Sequence, residues 1–381
     1  MVQRHYWQEL LETAWRRRTV LWLHGVRRAG KTILCQSLPQ IEYFDCELPS
    51  TRRMMEDPEA FLDGLRGKRV VLDEVHRLAN PSELLKIAAD HFRDIHIVAT
   101  GSSTLGASRR FRDTLTGRKR DIWLTPMCLP DLADARMTNL EHRLLLGGLP
   151  QFLLEKEVDE REFQEWIDSY WARDIQEMFR LERRDSFQKL AEMVLAQSGE
   201  IFEATRFAGP CEVSRGTITN YLRVLEATYV AHVIRPFSAR KQSEIVSAPR
   251  VYGFDTGFIC AYRGWRQLRK EDLGNLWEHF VLNEIMARTQ ARDVFYWRDK
   301  RGHEVDFVLL PRGGKPMAIE CKWSATGFDA VNLRAFRTQH PPGENVVLAA
   351  DVKTVFQRNY GSLKVRFEPL AAFTSRLSKT A

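Results

Sequence analysis

The fold turns on Val20-Leu21-Trp22-Leu23-His24-Gly25-Val26-Arg27-Arg28-Ala29-Gly30-Lys31-Thr32-Ile33-Leu34-Cys35-Gln36-Ser37-Leu38. A short apolar run runs directly into G-x-x-x-x-G-K-T, and a helical pattern follows. This is where a loop that curls its backbone N–H groups around phosphates has to sit. The glycines admit the curl, and the helix start adds its positive end. Lys31 is expected to reach the outer phosphates and Thr32 to supply a hydroxyl to Mg²⁺. The residues expected to line the nucleotide are Gly25, Arg28, Ala29, Gly30, Lys31, Thr32 and Ile33.

Outward from this loop, Ile41–Phe44, Val70–Leu72 and Ile95–Ala99 are further short apolar runs separated by helical patterns. Together they predict a buried parallel sheet in an α/β domain. The second of them closes on Asp73-Glu74. Asp73 is positioned to hold Mg²⁺ through water, and Glu74 to act as general base on the attacking water. The third runs into Thr100-Gly101-Ser102-Ser103. Ser102 is the candidate contact to the γ-phosphate or the water; capping of the next helix is the competing reading. Arg118, in Leu115-Thr116-Gly117-Arg118 before an expected strand at Asp121–Leu124, is the candidate cation supplied to a neighbouring subunit. That role implies a homo-oligomer. The alternatives are a solvated basic loop or a contact to a nucleic-acid backbone.

Of the 381 residues, 44% are hydrophobic and 28% charged, which excludes a disordered or fibrous chain. No apolar run approaches the roughly 18 residues of a membrane span, and the first residues lack a secretory core, so a cytoplasmic protein without membrane association is expected. Six scattered cysteines fit neither a zinc site nor a disulfide framework. The formal charge of +7 permits nucleic-acid binding without requiring it. Its basic residues bunch at Arg109, Arg110, Arg112, Arg118, Lys119 and Arg120, and at Arg235, Arg240, Lys241 and Arg250.

Several motifs carry a resemblance along nearly the whole chain. Besides Gly25–Thr32, Leu72-Asp73-Glu74, Thr100–Ser103 and Gly117-Arg118, they are Gly147-Gly148-Leu149-Pro150, Tyr221-Leu222 with Leu225-Glu226, and Val251-Tyr252 with Phe254-Asp255-Thr256-Gly257. Tyr296-Trp297-Arg298 and Glu304-Val305-Asp306-Phe307 continue the series. The sequence resembles a family of bacterial and archaeal AAA+ ATPases with a C-terminal domain of unknown function. The resemblance implies ATP and Mg²⁺ as ligands. His76 departs from it, since relatives usually carry glutamine there, and its role stays open.

From about Leu140 to Arg235 the pattern is helical, including an aromatic-rich amphipathic stretch at Asp159–Leu181. Phe187–Gln197, Ala204–Ala208 and Ser214–Glu226 read as three helices, the last capped by Ser214, and Val230–Arg235 as a wing-like strand. This predicts a winged helix in which Arg215, Thr217, Thr219 and Asn220 contact DNA, although such modules also dock proteins. In the last third, strands Val305–Leu310 and Ala318–Lys322 form a hairpin presenting Asp306, Glu320 and Lys322. The set matches the PD-(D/E)XK nuclease pattern, with Glu278 on the helix Leu276–Ile285 as the additional acid. Asp306, Glu320 and Glu278 would hold Mg²⁺ or Mn²⁺, and Lys322 would stand beside the attacking water. An ordinary charged hairpin is the plainer reading.

The expected architecture is multidomain α/β. It comprises a P-loop AAA+ core with a parallel sheet (1–135), a helical lid or connector (136–185), a winged-helix-like domain (186–248) and a restriction-endonuclease-like domain (249–381). The expected function is ATP hydrolysis coupled to action on DNA. The alternative is a nucleotide-gated switch or scaffold for a protein partner, its nuclease fold idle.

Overall fold

The structure is a computed structural model and describes residues 2–101, 109–155, 159–176, 183–238, 248–291, 293–311 and 314–380. The chain divides into two compact units. The first comprises Met1–Thr138, Leu149–Arg184 and Ala227–Val230, and the second comprises the remainder.

The first unit is built on five strands: β1 (Val20–His24), β2 (Ile41–Asp45), β3 (Arg69–Asp73), β4 (His96–Thr100) and β5 (Lys119–Trp123). All are parallel, in the order β2-β3-β4-β1-β5. Every residue of β1 is buried, which is why it reads as an unbroken apolar run rather than an alternating one. Because β4 lies between β1 and β3, the carboxyl ends of three strands meet in a row: His24 before the loop, Thr100, and Asp73. Trp22, Val70, Leu72, Phe111 and Leu115 pack in one apolar cluster with the helix Pro81–His91. In the described part of the amphipathic stretch after Asp159, the α-helix Glu160–Tyr170 continues as a π-helical turn, Trp171–Ile175.

The second unit holds a nine-stranded sheet. Its strands are β6 (Glu200–Ile201), β7 (Ala231–Pro236), β8 (Arg250–Gly253), β9 (Val294–Arg298), β10 (Glu304–Leu309), β11 (Met317–Lys322), β12 (Asn345–Ala349), β13 (Phe356–Tyr360) and β14 (Leu363–Phe367). The order is β13-β14-β12-β11-β10-β9-β7-β8-β6. Helices Arg184–Ala196, Ala204–Ala208 and Arg215–Ala227 accompany β6, β7 and β8. Ser214 Oγ accepts from Thr217 N at 3.1 Å, the cap expected from the sequence. The two short strand sets join through β7 and β9, which pair in parallel at Arg235 with Phe295 and Pro236 with Tyr296. Helix Lys270–Thr289 precedes β9, β10 and β11, and helix Val331–Gln339 leads into β12. All six cysteines are buried thiols. Among the described residues no helix is long and apolar enough to cross a membrane.

Candidate functional sites

At the carboxyl end of the five-stranded sheet, two glycines of the loop meet different demands. Gly25 runs so close to the end of β5 that a Cβ would fall 2.3 Å from the Leu124 carbonyl oxygen. Gly30 has φ of +94° and caps the helix Lys31–Gln36. Lys31 Nζ donates to the carbonyls of Gly25 and Val26, each at 3.2 Å, so its ammonium lies against the loop's own backbone.

Asp73 is the hub of this site. Its carboxylate accepts from Thr32 Oγ1 at 2.8 Å, from Tyr43 Oη at 2.6 Å, and from Thr100 Oγ1. Thr100 Oγ1 also accepts from Glu74 N at 3.1 Å, joining the third strand end to both acidic residues. Burial, then the hydrogen bond to Asp73, push the Tyr43 hydroxyl above the ordinary tyrosine range, so it remains a donor. Glu74 adopts φ of +56° and ψ of +45°, left-handed for a non-glycine residue, and His76 Nδ1 lies 3.0 Å from its Oε2. Burial raises the Glu74 carboxyl; the hydrogen bond from His76 and the charges of Lys31 and Arg27 outweigh it and hold it below the usual carboxylate range. It stays ionised at neutral pH, as a general base must.

The loop is also gripped from outside. Arg4, buried near the amino terminus, donates to the Ala29 carbonyl at 2.8 Å and to both Asp131 oxygens at 2.8 and 2.7 Å. Arg28, with φ of +61°, donates to Gln151 Oε1 at 2.7 Å, and Trp166 Nε1 donates to the Arg27 carbonyl at 3.2 Å. Gly25, Ala29, Gly30, Lys31, Thr32, Asp73 and Glu74 are therefore drawn together, with Ile33 exposed on the first turn of the helix. Arg118 is not among them. Register sets Lys119 beside Val20, at the amino end of β1, so Arg118 stands at the opposite end of the sheet from the loop. There its Nε meets Asp90 at 2.8 and 3.0 Å. Ser102, Arg240 and Lys241 lie outside the described residues. Thr100, Tyr43 and Arg4 are participants that sequence reading did not single out.

The second unit gathers its own polar cluster. The antiparallel pair β10 and β11 carries Asp306, Glu320 and Lys322, and the β9–β10 register slips between Val305 and Val308, an irregularity that spans Asp306. Lys322 Nζ lies 2.7 Å from Glu320 Oε2 and 3.7 Å from Asp306 Oδ2, and Asp306 also accepts from Cys321 N at 2.7 Å. Glu320 Oε1 is buried without a hydrogen-bond partner. Glu278 accepts from Tyr252 Oη at 2.5 Å and pairs with Arg250 at 3.5 Å. Burial, then the Asp306 charge, push the Glu278 and Glu320 carboxyls up. Asp306 and Glu320 hold Lys322 above the lysine range despite burial, which lowers it. Among the described residues, no three His, Cys, Asp or Glu side chains assemble in metal-holding geometry. Arg250, one of the bunched basic residues of the sequence, is no free surface charge: it is buried and engaged with Glu278 and Glu304. Its charge answers carboxylates two strands and a helix away, which no local run of basic residues reveals.

Residues 17–133 match a family described as an AAA domain, and the chain carries an AAA-type ATPase domain there. Residues 137–269 and 273–362 match two domains of unknown function, DUF8612 and DUF4143. Over 336 residues the chain is 25% identical to uncharacterized proteins of Mycobacterium bovis and Mycobacterium tuberculosis, covering 85% of this chain and 75% of each relative. It is similar to the Walker-type ATPase of Pyrococcus abyssi, with 14% identity, 69% of this chain and 96% of that one covered, and a TM-score of 0.44. It is also similar to AMPPCP-bound DnaA from Aquifex aeolicus, with 12% identity, 57% and 86% covered, and a TM-score of 0.30.

Proposed function

We propose that this protein binds and hydrolyses ATP with Mg²⁺ and couples the cycle to action on DNA. The observation that carries the reading is the convergence on Asp73 of Thr32, Thr100 and Tyr43, beside a phosphate-binding loop and an ionised Glu74. Lys31 meets the phosphates, and Thr32 with Asp73 presents the all-oxygen donor set suited to a hard divalent ion. Mg²⁺, when bound, neutralises charge developing on the transferred phosphoryl group. Glu74 takes the proton of the attacking water. Arg118, at the far end of the sheet, serves a neighbouring copy, so the active form is a homo-oligomer.

The reading of DNA as partner is supported by the helices and strands around Arg215–Ala227, where Arg215 and Asn220 are exposed. The second site extends it. Glu320 Oε1, a buried acceptor without a donor, suits a divalent cation held with Asp306, and β10, β11 and the helix Lys270–Thr289 supply the frame of a PD-(D/E)XK-like core. Lys322 is then the group beside an attacking hydroxide.

ATP turnover measured with and without DNA, alongside salt-dependent DNA binding, tests the reading. Stimulation of turnover by DNA is expected. DNA that neither binds at low salt nor changes turnover would favour a nucleotide-gated switch for a protein partner.

A further inference from the structure

The four carboxylates of the second unit's cluster are shared unequally between two kinds of cation. Asp306 and Glu320 face Lys322, a point charge on a flexible stem. Glu278 and Glu304 face Arg250, which is buried on β8 and lies over the Tyr296 ring at 5.3 Å. Arg298 adds a contact to Glu304 at 3.1 Å, and Tyr252 donates to Glu278 at 2.5 Å. A lysine can withdraw to let a metal in. A guanidinium fixed by two carboxylates and an aromatic face, and charged at any attainable pH, cannot.

Centres that use two divalent ions hold them roughly 3.5–4 Å apart on shared carboxylates. Here the carboxylates that a second ion would need are already bound by Arg250. The orphaned Glu320 Oε1 lies in the other half, so the unfilled valence is on the Lys322 side.

We propose that Arg250 is a permanent cation of this centre, standing in for a second metal, so that the centre takes one divalent ion on Asp306 and Glu320. Glu278 is then a partner of Arg250 and Tyr252 and not a metal ligand. The proposal rests on the reading of Asp306 and Glu320 as cation ligands.

The test is a count of Mn²⁺ bound to the full-length chain, from loss of the free-ion electron paramagnetic resonance signal, with Mn²⁺ as the only probe. Ions at the centre are those lost on Asp306→Asn, which separates them from any ion at the phosphate-binding loop. The expected count is one in the wild type, one in Glu278→Gln with affinity within twofold, and two in Arg250→Gln, where Glu278 and Glu304 are released. No Asp306-dependent ion would overturn the underlying reading of a cation site. Two in the wild type, loss of the ion in Glu278→Gln, or no gain in a folded Arg250→Gln would overturn the role given to Arg250 alone. Should Arg250→Gln not fold, the wild-type and Glu278→Gln counts decide.

Discussion

Arg118 and Lys31 occupy opposite ends of the same parallel sheet, one just before β5 and the other just after β1. At about 3.3 Å per residue, the five paired positions between them span roughly 16 Å. The arginine therefore cannot serve phosphates bound at its own loop, and it is held meanwhile by Asp90.

If Arg118 acts on a neighbour, Arg118→Ala lowers kcat by at least about tenfold with little change in the KM for ATP. Turnover per chain also rises with protein concentration. Concentration-independent turnover by a proven monomer would remove the role in trans.

If Lys31 meets the phosphates in the ground state, as proposed, Lys31→Ala abolishes nucleotide binding. If Glu74 is the base, Glu74→Gln keeps binding and stalls turnover. Equal turnover in wild type and Glu74→Gln, measured by phosphate release, would refute the assignment.

Thr100→Val and Tyr43→Phe each strip a donor from the carboxylate of Asp73, which is buried. Each should cost about 1–3 kcal/mol of stability in urea unfolding. Thr100→Val also removes the acceptor for Glu74 N and should depress kcat more than Tyr43→Phe does. Indistinguishable stability in all three proteins would mean that Asp73 does not depend on these donors.

His279 is buried, with its ring nitrogens at Ser198 Oγ and the Asn275 carbonyl, 2.6 and 2.7 Å away. Burial, helped by the charge of Arg263, lowers it from 6.5 to about 4. The unfolded chain therefore binds a proton that the folded chain refuses, and stability is full above pH 6.5 and falls as pH drops towards 4. The loss over that window is about 3 kcal/mol. His279→Gln should flatten this part of the pH–stability curve; an unchanged slope would show that another group is responsible.

Purified protein with Mn²⁺ should cleave DNA, with branched or single-strand-containing substrates preferred, and Asp306→Ala should abolish cleavage while ATP turnover persists. The two sites share no residue, so their losses should separate. DNA left intact in every form, with and without ATP, would make the second unit a binding module.

Much of the first site is legible in sequence because its chemistry is local: a loop of eight residues and an acidic pair at a strand end. Thr100 is harder. Among the polar residues of Thr100–Ser103, which one meets Asp73 depends on β4 lying next to β3, and strand order is not written in any local pattern. Tyr43 and Arg4 depend likewise on β2 beside β3 and on a contact 127 residues away along the chain. In the second site, the spacing Asp306, Glu320, Lys322 shows the hairpin. The partners of Glu278, Arg250 and Tyr252, come from β8, and nothing local in Arg250-Val251-Tyr252 points to a carboxylate 26–28 residues further along the chain.

The parallel pairing of β7 with β9 gives the carboxyl-terminal third of the chain a dependence on what precedes it. A fragment beginning after Pro249 would lose the strand that covers β9 and expose an unpaired edge of aromatic and β-branched residues, Val294-Phe295-Tyr296-Trp297. Such an edge invites pairing between copies. Strands on both sides of the β7–β9 seam should gain amide-exchange protection together, as a single cooperative block, and a soluble expression fragment has to include β7 and the segment Asn139–Gly148, whose Gly148 N donates to Asp255.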